Sequence, residues 1–98
     1  MLNQFIIVGR IVKDLEKESN VITLAIPRYY KNEDGEYETD FVDVTIDGNL
    51  AKTTIEYCKK GDIIGVKGNI KSEISNGIRK MILVAERVTF LSSKKADE

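Results

Sequence analysis

The chain opens on a stretch in which nearly every position is apolar. From Gln4 to Val12, Phe5, Ile7 and Ile11 fall on one parity and Ile6, Val8 and Val12 on the other. A strand covered on both faces has this pattern, and Gly9 inside it predicts a bulge or sharp bend. A second strand is predicted over Val21–Arg28, with Ile22, Leu24 and Ile26 inward and Val21, Thr23, Ala25, Pro27 and Tyr29 on the other parity. Pro27 has no N–H for a ladder, so the strand should end there or lie at an edge. After an Asp34-Gly35 turn, Tyr37–Ile46 alternates cleanly. Val42, Val44 and Ile46 point one way; Tyr37, Thr39, Phe41, Asp43 and Thr45 point the other. Asp47-Gly48-Asn49 breaks the alternation. Leu50, Thr54, Tyr57 and Cys58 then follow helical spacing, so a helix is expected over Leu50–Lys60, capped by Asn49, ended by Gly61 and packed through Tyr57. The fourth strand has Ile64, Val66 and Ile70 inward and Lys67, Asn69 and Lys71 outward. Glu73–Gly77 reads as a short link with an Asn76-Gly77 hairpin turn. The fifth strand covers Ile78–Ala85, with an irregular extension to Phe90. Three strands, a helix and two strands predict an all-β fold with a small α component. The natural arrangement is an OB-fold, a five-stranded antiparallel Greek-key barrel with one helix between strands 3 and 4.

Composition adds boundaries. Ninety-eight residues, 42% hydrophobic and 32% charged, make one globular domain. It is expected over residues 1–91, with a short polar tail over 92–98. No apolar run is long enough for a membrane-spanning helix, and no secretory leader is visible. The single cysteine, Cys58, excludes an intrachain disulfide and suits a reduced, cytoplasmic compartment. Without histidine, a phosphate-binding glycine loop or a serine elbow, no enzyme, cofactor or metal site is expected.

Charge nearly cancels, at −1 net, but is unevenly placed. Between Lys31 and Asp40 one lysine stands against Glu33, Asp34, Glu36, Glu38 and Asp40, whereas Lys52 to Lys95 holds ten basic residues against four acidic ones. This pattern predicts a basic face with an acidic hairpin standing apart from it. Tyr37 and Phe41 occupy the polar parity of strand 3, and Tyr29 the outward parity of strand 2. Outward rings beside the outward Lys67 and Lys71 suit unpaired nucleic-acid bases, which stack on aromatics while cations neutralise phosphates. Tyrosine also favours strands on its own account, and cross-strand ring pairs stabilise sheets without a ligand, so the pattern alone leaves both readings open. Tyr30 is open between a stacking ring and an inward plug of the barrel end.

Met1-Leu2-Asn3-Gln4-Phe5-Ile6-Ile7-Val8-Gly9-Arg10-Ile11 resembles the opening of bacterial single-stranded DNA-binding (SSB) proteins. Asp40–Val44, Gly48–Ala51, Tyr57–Asp62, Val66–Ile70 and Val88–Leu91 are similar to the family's later segments. The resemblance spans about Met1–Leu91. It implies an OB-fold that binds single-stranded DNA and assembles as a homotetramer, with a dimer as the lesser expectation. Apolar residues on both parities of the first strand also suggest subunit pairing there. Tyr29, or its neighbour Tyr30, and Phe41 match stacking positions of the family. Lys71 matches a basic backbone-contact position, and Asn3, Gly9 and Arg10 match the opening strand. The sequence departs from the family at Asp47, where an aromatic is common, and in its short link between strands 4 and 5, which carries no aromatic. The family's acidic tail ending in Phe has no counterpart, so tail-mediated recruitment of replication proteins is not expected.

The function expected is non-enzymatic, largely sequence-independent single-stranded DNA binding that protects single strands in replication, recombination or repair. Tyr29, Tyr30, Tyr37 and Phe41 would stack bases. Arg10, Arg28, Lys67, Lys71, Arg79 and Lys80 would neutralise phosphates, with the strand parity of Arg79 and Lys80 left open. The alternatives are a primosome-type dimeric OB protein and an OB-fold protein-interaction module with weak or no DNA binding.

Overall fold

The structure is a computed structural model that describes residues 1–16 and 20–93. Its elements are β1 (Phe5–Ile11), β2 (Val21–Lys31), β3 (Tyr37–Thr45), α1 (Gly48–Tyr57), β4 (Ile63–Ser75) and β5 (Ile78–Ser92). The strands close into a barrel in the order β1-β2-β3-β5-β4, the OB arrangement. All neighbours run antiparallel except β3 and β5, which pair in parallel at Val44–Leu83 and Thr45–Val84. The expectation of an antiparallel barrel is corrected at this one seam. A ring with an odd number of strands cannot alternate direction all the way round, so one pair must be parallel.

The inward parities predicted for β2, β3 and β4 form the core. Ile11, Ile22, Leu24, Val44, Ile46, Ile64 and Val66 are each at most 1% exposed, and burying such a side chain stabilises the fold by roughly 1.5–3 kcal/mol. Two glycines let the strands close. A Cβ on Gly9 would press at 3.0 Å on the Ala25 carbonyl oxygen and on Leu24 and Ile26, where β1 closes on β2, and the β1–β4 pairing runs through Gly9 without the expected bulge. A Cβ on Gly68 would overlap the Val84 carbonyl and meet the Phe5 ring at 2.8 Å.

Three boundaries differ from expectation. Pro27 does not end β2. It faces Thr39, and the ladder slips between Pro27 and Lys31 before pairing resumes at Lys31–Tyr37, as expected where a missing N–H weakens the ladder. The helix starts at Gly48, with Asp47 rather than Asn49 in the N-cap position. It buries Ala51 and Thr54, and Cys58 is buried just past its end. Tyr57 is exposed rather than packed, because at 3.6 residues per turn it lies roughly 110° round from the Ala51–Cys58 stripe. The link between β4 and β5 shrinks to the two-residue Asn76-Gly77 turn, with φ of 51° and 77°, and the strand pairing runs out to Ser75–Ile78. From residue 71 to residue 81 every position is exposed, so the hairpin forms an arm. β5 reaches Ser92, and the predicted tail lies, from residue 94, outside the described residues.

β1 pairs with β4 from Phe5 to Arg10 but with β2 only at Arg10 and Ile11. The Asn3 side chain extends the β4 ladder. Its Nδ2 donates to the Ile70 carbonyl at 2.9 Å, and its Oδ1 accepts the Ile70 N–H at 2.9 Å.

Candidate nucleic-acid interface

The odd-numbered residues of β3 face outward, and β2 lays a small floor beside them. Phe41 stands opposite Ala25, a partner too small to cover it, and the residue is 67% exposed. Tyr37, at 59%, stands opposite Lys31, whose Nζ lies 5.7 Å from the ring centroid. The slip in the ladder extrudes Tyr29 and Tyr30, which are 92% and 52% exposed. Their rings meet edge to face at 5.1 Å, so Tyr30 is no plug of the barrel. All four predicted rings therefore sit on the β2–β3 hairpin and open to solvent.

The predicted cations divide by face. Thr45 pairs with Val84, Val84 with Asn69, and the next rungs of that face carry Lys71 opposite Ile82 and Lys80 opposite Glu73. Lys71 and Lys80 thus continue the outer parity of β3 onto the arm. Arg79 faces Ile74 and shares the opposite side of the arm with Met81. Lys67 pairs with Ile6 and Arg87 and lies on the outer surface beyond the β4 irregularity, away from the rings. The Arg10 guanidinium donates from Nη1 to the Gly61 carbonyl at 2.7 Å, in a cleft it shares with Lys60.

Arg28 departs most from expectation. It shares the even parity of Ile26, opposite to Phe41 and Tyr37. Its Nε and Nη2 donate to the two Asp40 oxygens at 3.1 and 3.0 Å, and Nη1 donates to Glu38 at 2.7 Å. These hydrogen bonds hold the Asp40 carboxyl below the usual carboxylate range. The sequence reading expects Arg28 to contact phosphate; in the structure it clamps the hairpin, with three of its five N–H donors engaged by two carboxylates. The clamp also turns the acidic charge of Asp40 and Glu38 away from Phe41 and Tyr37. Two acids stay on this side, Asp43, which accepts a 2.7 Å bond from the Thr23 hydroxyl, and, on the arm, Glu73 opposite Lys80.

Sequence reasoning missed Lys31, whose place opposite Tyr37 depends on the slip. It also missed the exposed Ile74, Ile78 and Met81 of the arm. The alternation of β4 past Lys71, leading into an Asn-Gly turn, was the signal for the arm. Cys58 is buried, which pushes its thiol pKa up and leaves it an inert packing group.

A closed OB barrel with solvent-facing rings on one hairpin and lysines on the next defines a class of small binding domains. Within that class the chain belongs to the single-strand binding protein family, whose sequence model matches residues 2–91. It is 33% identical to single-stranded DNA-binding protein B of Bacillus subtilis, over 100% of this chain and 97% of that one. It is 35% identical to single-stranded DNA-binding protein 1 of Clostridium acetobutylicum, over 96% and 97%. Among solved structures, the Plasmodium falciparum SSB complex with ssDNA superposes with a TM-score of 0.69 at 17% identity, covering 94% of this chain and 96% of that one. Wild-type single-stranded DNA binding protein from Thermus aquaticus gives 0.76 at 18% identity, over 96% and 52%. These structural likenesses establish the shared barrel.

Proposed function

We propose that the protein binds single-stranded DNA without enzymatic chemistry and with little sequence preference, coating single strands exposed in replication, recombination or repair. The observation that carries this reading is the β2–β3 hairpin with four aromatic residues, each more than half exposed, on the barrel of a family named for single-strand binding. Each stacked base is worth about 1–3 kcal/mol, and every base offers a π-face. Lys71 and Lys80 border the ring face and would offset phosphate charge. Lys67 and Arg10 would serve a strand that continues round the barrel. The relatives named single-stranded DNA-binding proteins support the same ligand.

Binding of a labelled thymine-rich oligonucleotide tests the reading. Affinity should fall steeply with salt as counterions are released, and Phe41→Ala should weaken binding by roughly 1–3 kcal/mol with the fold intact. Absence of saturable binding to the wild-type chain would sink the proposal.

Assembly belongs to the same reading. The β1 edge from Phe5 to Val8 has no β2 partner, and Ile6 and Val8 are 71% and 51% exposed. A second copy pairing along this edge would cover them, giving a dimer as the unit of a homotetramer. A cytoplasmic location alongside the chromosome suits this function.

A further inference from the structure

We propose that Lys31 and Tyr37 form a single-nucleotide subsite near the tip of the β2–β3 hairpin, the open ring face taking a base and the Lys31 ammonium the adjoining phosphate. This rests on single-stranded DNA as the ligand and adds to the ring of Tyr37 a cation that the sequence pattern does not name.

The ladder creates the pair. Pro27 faces Thr39 and Lys31 faces Tyr37, so four steps along β2 match two along β3. Without these two extra residues Tyr29 would stand opposite Tyr37, and two rings would cover each other as a structural pair. With them, Tyr29 and Tyr30 are extruded and Lys31 takes the place across the ladder. Its Nζ at 5.7 Å from the centroid lies within cation–π range. An ammonium has three donors and a strongly hydrated charge, so resting by the ring leaves it able to hold a phosphate oxygen. The pairing keeps that charge beside the ring rather than sweeping free in solvent.

The surroundings fit this role. Glu38, next but one before Asp40 and next after Tyr37, is drawn to the opposite face by Arg28 and receives a 3.2 Å bond from Asn32 Nδ2. The Asn32 Oδ1 accepts the N–H groups of Asp34 and Glu36 at 2.9 and 3.0 Å, which fixes the turn beyond the pair. Glu33, Asp34 and Glu36 are exposed there. Their charge repels phosphate, so a strand running along β3 would meet its last favourable contact at Lys31 and Tyr37.

The test is binding of a labelled thymine-rich oligonucleotide over a salt series to the wild-type chain, Lys31→Gln, Lys31→Arg, Tyr37→Ala, the Lys31→Gln/Tyr37→Ala double variant and Phe41→Ala. Thermal melting first establishes that each variant is folded. Lys31→Gln and Tyr37→Ala should each weaken binding about tenfold. Lys31→Gln should reduce the log–log salt slope by about 0.7, the increment for one phosphate contact on a single strand. Lys31→Arg should restore that slope, and Tyr37→Ala should leave it unchanged. The double variant should lose less than the product of the single losses, because one nucleotide is released in each case. Tyrosine emission reports independently, since the chain has four tyrosines and no tryptophan. Removing Tyr37 should shrink the quenching that DNA produces. An unchanged slope in Lys31→Gln, or strictly multiplicative losses in the double variant, would overturn the subsite. If Phe41→Ala weakens binding while both single variants match wild type, the subsite fails and the broader function stands. If the wild-type chain itself does not bind, the broader function fails.

Discussion

At the scale of single residues, the Arg28 clamp shows how parity separates charges that crowd together in sequence. Asp40 and Phe41 are neighbours in the chain yet point to opposite faces, so one cation can engage two carboxylates behind the ring. The Asp40 carboxyl is held below its usual range by Arg28 hydrogen bonds. A carboxyl with a depressed folded-state pKa stabilises the fold above the unfolded-state value, near 3.9 for Asp. That contribution is lost as pH falls through the folded value. Thermal midpoints should therefore hold steady from neutrality to about pH 5 on this account and decline in more acidic buffer. Asp40→Asn should flatten that acid limb, and an unaltered pH profile in the variant would rule out the clamp as its source. The effect should be small, because the group is solvent-exposed and screened. Gly68 is the opposite case, a residue whose value lies in having no side chain. Gly68→Ala sets a methyl against the Val84 carbonyl and the Phe5 ring, and overpacking of this kind costs typically 1–3 kcal/mol. Urea denaturation would read the change.

At the scale of elements, the two hairpins explain what sequence could and could not supply. Inward positions were legible because alternation at Ile22–Leu24 and Val42–Val44–Ile46 has period 2, and one buried face fixes it. Tyr29, Tyr37 and Phe41 were legible as outward for the same reason, whereas Tyr30, on the inward parity, is exposed only through the slip. Lys31 was not legible, because its partner is set by a slip that parity does not reveal. Tyr57 was misread because Leu50, Thr54 and Tyr57 share helical spacing while the buried stripe is centred on Ala51 and Cys58. The arm was misread because polar residues at Ser72, Glu73 and Ser75 resemble a loop, whereas the Asn76-Gly77 turn lets the ladder run to its end. Once the rungs are counted, Lys80 and Arg79 fall on opposite faces. Lys80→Gln should weaken binding and lower the salt slope by about 0.7. Arg79→Gln should leave the slope close to wild type. Equal effects from both variants would mean that the strand passes the arm on both sides.

At the scale of the whole molecule, a net charge of −1 provides no long-range pull on a polyanion. Association must then depend on local cations acting within a screening length of about 8–10 Å. A single barrel offers one short row of rings, so tight hold on a long strand calls for several barrels acting together. The β1 edge is the place to build such an assembly, since Ile6 and Val8 are exposed beside backbone groups with no β2 partner. Unpaired edges of this kind invite another strand, and a two-fold axis lets β1 meet its own copy. Val8→Asp places a charge on that edge without entering the core, where Ile7 and Ile11 face inward. Light scattering at micromolar concentration should give a multiple of the 11.1 kDa chain for the native protein and a smaller species for Val8→Asp, each with an unchanged far-UV signature. Binding to a short oligonucleotide that spans one barrel should survive the substitution, because its rings lie on another face. Binding to a long one should weaken, because linked sites no longer share it. A native chain that scatters as a monomer would leave Ile6 and Val8 without this partner, and equal losses on short and long strands would show that β1 acts on the binding face rather than through assembly.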